Sequence, residues 1–300
     1  MKIAITAPVY VANEEHKKYL DLTTKSIHSQ KHQIIWLPCE NYVNRNLAPI
    51  EYLFTQQPIK TTILHPVGRQ SIAQAWNRGI TEGGKVGCEY ILVINTDIVL
   101  KNNAIDRLVD FAENHQEAIL WTMSECDNLA SLESCPEDET IGRNPYFSCF
   151  MVKKDFFSHV GYFDENFVPA YFEDADMHAR FELANFLSYK YGGARFFHFF
   201  SQTIKSDKEL FSKNGRTHAK CRIYFLEKWG HDQIKDYRDM KNHYFDHPYN
   251  EADKPLSYWR KTKNKQFKNK FPLAVQYRYV LFLNWTKRAL RKHQSKSYAK

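Results

Sequence analysis

Short apolar runs alternating with amphipathic stretches predict an α/β fold, its central sheet mostly parallel and covered by helices on both faces. Two further observations point the same way. The run EYILVINTDIVL, residues 89–100, is apolar almost throughout, the pattern of a strand buried on both sides. The chain of 300 residues is long for one compact core and fits a large α/β domain with an appendage.

The elements follow in chain order. KIAITAPVY reads as a first strand ending at a proline, and EEHKKYLDLTTKSIHSQ as a helix. HQIIWLP and KTTILHP read as the second and third strands, and SIAQAWNRGITEGG as a helix closed by glycines. The 89–100 run is a single strand, NAIDRLVDFAENH an amphipathic helix, and EAILWTMS a further strand. In such sheets ligands bind at the carboxyl ends of the strands, where Pro8, Pro66 and Asn95 to Asp97 are expected. The polar stretch 124–145 reads as a loop that is functional or mobile, since one so long is seldom idle in a compact domain. Then come a strand, a short helix and a turn in YFSCFMVKKDFFSHVGYFDENF, and an amphipathic helix from Met177 to Phe186. GARFFHFFSQT is strand-like, THAKCRIYFLEKWG a basic aromatic helix, and LAVQYRYVLFLNWTKRALRK a last amphipathic helix beyond a polar linker. No internal repeat of fixed period is visible.

Composition narrows the classes. The hydrophobic share of 43% and aromatic share of 15% supply a sizeable core. The net charge of +8 is lopsided: 14 of the 42 Lys and Arg lie in 254–300, which has no acid. The first 253 residues carry 28 basic against 34 acidic side chains, a balance of −6. The basic tail therefore fits an anionic surface, and no nucleic acid is expected on the body. The six cysteines (39, 88, 126, 135, 149, 221) form no CxxC pair and suit a reducing compartment, with pairing of Cys126 and Cys135 left open. The apolar run after Met1 is short and broken by Thr6 and Pro8, unlike a secretory leader. No stretch approaches the roughly 18 apolar residues of a membrane span.

Three places hold candidate chemistry. Asp97 ends VINTD at a strand's carboxyl end, where an acid binds a cation or is merely solvated; Asn95 and Thr96 suit a ribose or phosphate, or simply make a turn. Glu173, Asp174 and Asp176 exceed what capping one helix needs. Asp176 and Arg180, four apart, read as a structural helix pair, which leaves Asp174 without a task. His198, amid four phenylalanines, reads as a core residue or a ligand.

TAPVY, SIAQAWNRGI, EYILVINTDIVL, VGYFDENFVPAYFEDADMHAR, FFHFFSQT and YFLEKWG, taken in this order over residues 1 to about 230, resemble a family 2 glycosyltransferase of the GT-A fold. The resemblance implies a GT-A α/β/α sandwich at 1–230, its nucleotide-sugar half at 1–123 and its acceptor half at 124–230, with a basic extension at 231–300. It implies Asp97 and His198 as ligands of a divalent cation, Mn2+ or Mg2+, that holds the donor diphosphate. Asp174, second acid of the Glu-Asp pair, is similar to the catalytic base, with Glu173 beside it. Asn95 and Thr96 would face the nucleotide sugar, Pro8 and Tyr10 would line the nucleobase pocket, and Arg69 would meet the diphosphate. Two positions depart from the pattern. Asn95 replaces the first acid of the DxD element, and Pro38 and Cys39 stand where the family has an Asp, with Glu40 or Asn41 as its substitute.

The chemistry asks for such residues. A cation stabilises the charge left on a departing diphosphate, and a carboxylate accepts the acceptor hydroxyl's proton, typically worth about 10²- to 10⁴-fold. Burial among Tyr171, Phe172 and Phe163 is expected to raise the pKa of Asp174. The expected reaction is inverting transfer of a hexose or deoxyhexose to a glycan or lipid-linked glycan, at the cytoplasmic side. The 254–300 tail either packs on the domain or grips an anionic membrane surface. Other classes fit less well. A nucleotidyltransferase would open with a glycine-rich loop, and TAPVYVANEE has no glycine. A phosphodiesterase would cluster its histidines. A non-catalytic module binding nucleotide, nucleic acid or lipid would leave Asp97, Asp174 and His198 without a joint task.

Overall fold

The computed structural model describes residues 1–44, 59–66, 68, 70–138, 140–142, 147–199 and 208–229. The expected linker, the last helix, the basic tail and Arg69 lie outside these residues. Strands β1 (Lys2–Val11), β2 (Gln33–Val43), β3 (Lys60–Thr61), β4 (Tyr90–Ile94), β5 (Ile98–Leu100), β6 (Ala118–Cys126), β7 (Ile141–Gly142), β8 (Cys149–Lys153) and β9 (Leu187–His198) join one sheet. Their order is β3-β2-β1-β4-β8-β6-β9-β5, with β7 also on β9. Pairs β1/β2, β1/β4, β2/β3 and β6/β9 are parallel; β8, β5 and β7 run against the rest. The helices are α1 (Glu14–Lys25), α2 (Ile72–Lys85), α3 (Ala104–Asn114), α4 (Phe156–Val160), α5 (Glu173–Ala184) and α6 (Lys208–Trp229).

Strand alternation divides the core into two layers. On one face Ile3, Ile5, Leu92, Trp121, Met151 and Phe196 pack with α1 and α3. On the other, Ala4, Ile91, Phe150 and Val152 pack with Trp76 and Ile80 of α2 and with Met177 and Phe181 of α5. Full burial of a side chain such as Phe150 or Met151 stabilises by about 1.5–3 kcal/mol, so each layer is firmly held. The result is the α/β/α sandwich that the alternation predicts. No helix among the described residues is long and apolar enough to cross a membrane.

Several boundaries differ from expectation, each for a physical reason. β1 continues through Pro8 to Val11. β4 accompanies it only as far as Thr6, so Pro8 pairs on one side alone, where a missing N–H is tolerated. The glycines of 83–84 lie inside α2 and do not close it. A Cβ on Gly83 would stand 2.6 Å from Ile91 and 2.9 Å from Ala4, so glycine there lets the helix lie on the sheet. The acids expected ahead of a helix at Met177 form the first turn of α5 itself, where the helix dipole favours negative charge. Cys126 and Cys135 form a disulfide, so the cysteines no longer argue for a reducing compartment.

The 89–100 run is two strands, broken at Asn95, Thr96 and Asp97. A flat sheet would put β5 four strand spacings, about 19 Å, from β4. The chain from Ile94 to Ile98 reaches at most about 14 Å. The β6-β9-β5 end therefore curls back over the carboxyl end of β4, and the three linking residues sit in the fold's mouth.

Candidate active site

Asp97 and His198, 101 residues apart, meet at this mouth. Antiparallel pairing sets Ile98 opposite His198, and Phe199 N–H donates to the Asp97 carbonyl at 2.9 Å. The side chains follow: His198 Nε2 lies 3.1 Å from Asp97 Oδ1, and side-chain exposure is only 12% and 8%. Thr96 is buried beside them and Asn95 half-buried, its N–H held by the Ser148 carbonyl at 3.0 Å. Asp97 is therefore paired with an imidazole and not merely solvated, and His198 has a carboxylate partner.

Asp174 occupies the first turn of α5. Two residues, Asn185 and Phe186, connect α5 to β9, so the helix runs back along the sheet with its first turn toward the carboxyl edge. The preceding loop confirms that placement, because Pro169 accepts a hydrogen bond at 3.0 Å from Ile72 N–H at the start of α2. Asp174 shares no hydrogen bond or ion pair with Asp97 or His198 among the described residues; its Oδ1 accepts from Ala175 N–H at 2.8 Å. One expectation is reversed here. Asp174 is exposed, and burial falls on Glu173, because one residue turns the side chain about 100° around a helix. Burial, with the neighbouring Asp174 charge, pushes the Glu173 carboxyl up to about 8. Its Oε2 has no hydrogen-bond partner among the described residues.

The backbone entering α5 is strained. Tyr171 and Phe172 hold φ of 85° and 72°, the left-handed region that bulky residues seldom enter. Their rings are braced on α6, both against His218 at 5.3 and 5.1 Å and Phe172 also against Phe225 at 5.3 Å.

Behind this turn lies an ionic cluster that sequence reasoning found only in part. Asp176 and Arg180 pair at 2.6 Å with both side chains fully buried, as the four-residue spacing predicts. Lys228 of α6 reaches Asp176 at 2.6 Å and Asp164 at 2.9 Å, also fully buried. Trp229 Nε1 donates to Asp176, Tyr224 Oη to Asp164, and Arg180 Nη1 to the Val160 and Tyr162 carbonyls. Asn77 of α2 ties in the same turn, donating to Phe163 O and accepting from Phe163 N–H, each at 2.9 Å.

At the far side of the mouth, Pro8 and Tyr10 share the β1 face of Ala4, beyond the part that α2 covers. Tyr10 stacks on the exposed ring of Tyr42 at 5.1 Å. Glu40 is engaged by His65, 2.9 Å away, and Asn41 accepts from Gln70 N–H at 3.0 Å. Glu125, which sequence reasoning missed, lies one residue before the end of β6 with a carboxyl oxygen 3.9 Å from His198 Nδ1. Burial raises its pKa. The rule that singled out Asp97, an acid at a strand's carboxyl end, applies equally to it.

A carboxylate oxygen and an imidazole nitrogen converging from two strands form a donor set that fits Mn2+, and fits the oxygen-preferring Mg2+ less well. No cluster of three or more His, Cys, Asp or Glu able to hold a metal occurs among the described residues, of which Asp97 and His198 would supply two ligands.

No family model matches the sequence, and no curated protein matches it. Solved structures do. The chain is similar to GalNAc-T7 crystallised with UDP, GalNAc and Mn2+, at 11% identity and a TM-score of 0.57, over 79% of this chain and 49% of that one. It is also similar to residues 1–349 of S. aureus TarS in complex with UDP, at 12% identity and a TM-score of 0.47, over 73% and 65% of the two chains. The chain spans about half the length of GalNAc-T7. The fold is the GT-A fold of glycosyltransferases.

Proposed function

We propose that the protein is an inverting, metal-dependent glycosyltransferase that moves a sugar from a nucleoside-diphosphate donor to a hydroxyl of a glycan or lipid-linked glycan. One observation carries this reading: Asp97 and His198 converge at 3.1 Å at the carboxyl edge of a GT-A sheet. The UDP, GalNAc and Mn2+ held by GalNAc-T7 support the same donor class and cation.

In this reading Asp97 and His198 would hold the cation. When bound, it supplies Lewis-acid stabilisation of charge on the leaving diphosphate. Asn95 and Thr96 face the ribose and sugar, Pro8 and Tyr10 flank the nucleobase, and Arg69 meets the diphosphate. Glu40, engaged by His65, acts from the rim. Asp174 takes the proton from the acceptor hydroxyl as its oxygen attacks the anomeric carbon. The bond from that carbon to the diphosphate oxygen breaks, and the electron pair leaves with the phosphate. One displacement inverts the anomeric centre. Glu173, whose carboxyl burial and the Asp174 charge push up to about 8, stands directly before the base. Acceptor choice belongs to the 124–145 region and the face beside α5. Residues 254–300 are assigned to an anionic membrane surface, with 1–230 as the catalytic unit.

A thermal-shift screen of nucleotide sugars with Mn2+ tests the reading, followed by assay of nucleoside-diphosphate release. One nucleobase class should raise the melting temperature and be cleaved only with metal present. Stabilisation by none of the panel would refute a nucleotide-sugar enzyme.

A further inference from the structure

We propose that Glu125 is the positioning residue of the metal site, the carboxylate that fixes the orientation and tautomer of His198. The proposal rests on the reading of His198 as a cation ligand. Strand β9 runs between β6 and β5, and each neighbour offers His198 one acid. From β5's side Asp97 Oδ1 stands 3.1 Å from Nε2; from β6's side Glu125 Oε1 stands 3.9 Å from Nδ1. Register brings this about: Glu125 pairs with Phe196, two residues before His198, so both side chains point to one face of the sheet.

Glu125 Oε1 is buried and has no hydrogen-bond partner among the described residues. A buried carboxyl oxygen without a donor is costly, and a group kept so is poised for one. The 3.9 Å gap is longer than a hydrogen bond, so closure needs a shift of under about 1 Å. Coordination supplies the reason to close. To bind a cation through Nε2, the imidazole must carry its proton on Nδ1, and that proton then faces Glu125. Carboxylates placed so behind a metal-bound histidine raise its basicity and lock its ring, and losing one typically weakens metal affinity by about 10- to 100-fold. Cys126, joined to Cys135, anchors the strand end immediately after Glu125.

The experiment uses the full chain with Mn2+ alone as the probe, following free Mn2+ by electron paramagnetic resonance, in wild type, Glu125→Ala, Glu125→Gln, Asp97→Asn and His198→Ala. Glu125→Ala should weaken Mn2+ by about 10- to 100-fold, with Glu125→Gln recovering most of the loss because its amide oxygen still accepts from Nδ1–H. Imidazole 15N shifts of His198 with Mg2+ should report the Nδ1–H tautomer in wild type and Glu125→Gln, and a mixture in Glu125→Ala. If Asp97→Asn and His198→Ala weaken Mn2+ while Glu125→Ala changes neither affinity nor tautomer, Glu125 has no such role and the metal reading stands. If Asp97→Asn and His198→Ala leave Mn2+ affinity intact, the metal reading itself fails. Should Glu125→Ala not fold, the tautomer and affinity of Glu125→Gln decide, with an unlocked ring at wild-type affinity overturning the proposal.

Discussion

Two groups of acids in the molecule have opposite fates. Asp164 and Asp176 are sealed by Lys228, Arg180, Tyr224 and Trp229, with the charged side chains of their ion pairs fully buried. Asp97 and Glu125 at the mouth share one imidazole, and Glu173 and Asp174 open α5; among the described residues one oxygen of Glu125 and one of Glu173 lack a hydrogen-bond partner, and Asp174 is exposed. The lesson is that satisfaction separates the two uses of one residue type. Acids whose charge is fully answered by the protein hold the turn still, and under the proposed function the under-answered ones take the cation and the incoming proton.

Substitutions sharpen that contrast. The largest effect is expected from Asp174→Asn, which should lower kcat by about 10²- to 10⁴-fold while calorimetry finds donor affinity unchanged. Equal loss of donor affinity would move Asp174 into the donor site. On the sealed side, Lys228→Ala strands two buried carboxylates and should cost about 3–5 kcal/mol of stability in urea denaturation. A loss below about 1 kcal/mol would show the cluster to be solvated and erase the distinction.

Glu173 predicts a pH effect of a few kcal/mol at most, by the order of its shift. Its folded pKa, about 8, lies above the ordinary 4.5, so the stability it contributes is complete below the lower value and is lost as pH rises through the upper. Glu173→Gln should flatten that decline in melting temperature between about pH 5 and 9, and parallel wild-type and variant curves would place the titration elsewhere. The smallest effect belongs to Cys135→Ser, which opens a disulfide spanning 9 residues and should cost about 2–3 kcal/mol or less. Thermal melts with and without reductant measure it, with reductant abolishing the difference between wild type and variant.

Much of this was legible in the sequence, for reasons that also mark the limits. The sandwich follows from local periodicity, and the Asp176–Arg180 pair from helical spacing. Asp97 stood out because an acid ending an apolar run is unusual in itself. Glu125 also follows an apolar run and could have been marked by the same rule, but its partnership with His198 comes from β6/β9 register, set by contacts across the sheet. Lys228 lies 64 residues from Asp164, and no local pattern links them. Which of Glu173 and Asp174 is buried turns on the helix's rotation about its axis, fixed by Met177 and Phe181 in the core and invisible in a run of acids. The break of 89–100 into two strands was concealed by Ile98 to Leu100, apolar enough to continue β4 but too far around the sheet to do so.

The central claim is that Asp97 and His198 jointly hold a cation together with a nucleoside diphosphate. Calorimetric titration of UDP with and without Mn2+ tests it directly, in wild type and the Asp97→Asn and His198→Ala variants. The account predicts that Mn2+ tightens UDP binding in wild type and that either substitution removes most of this gain. Tightening of equal size in all three proteins would contradict it.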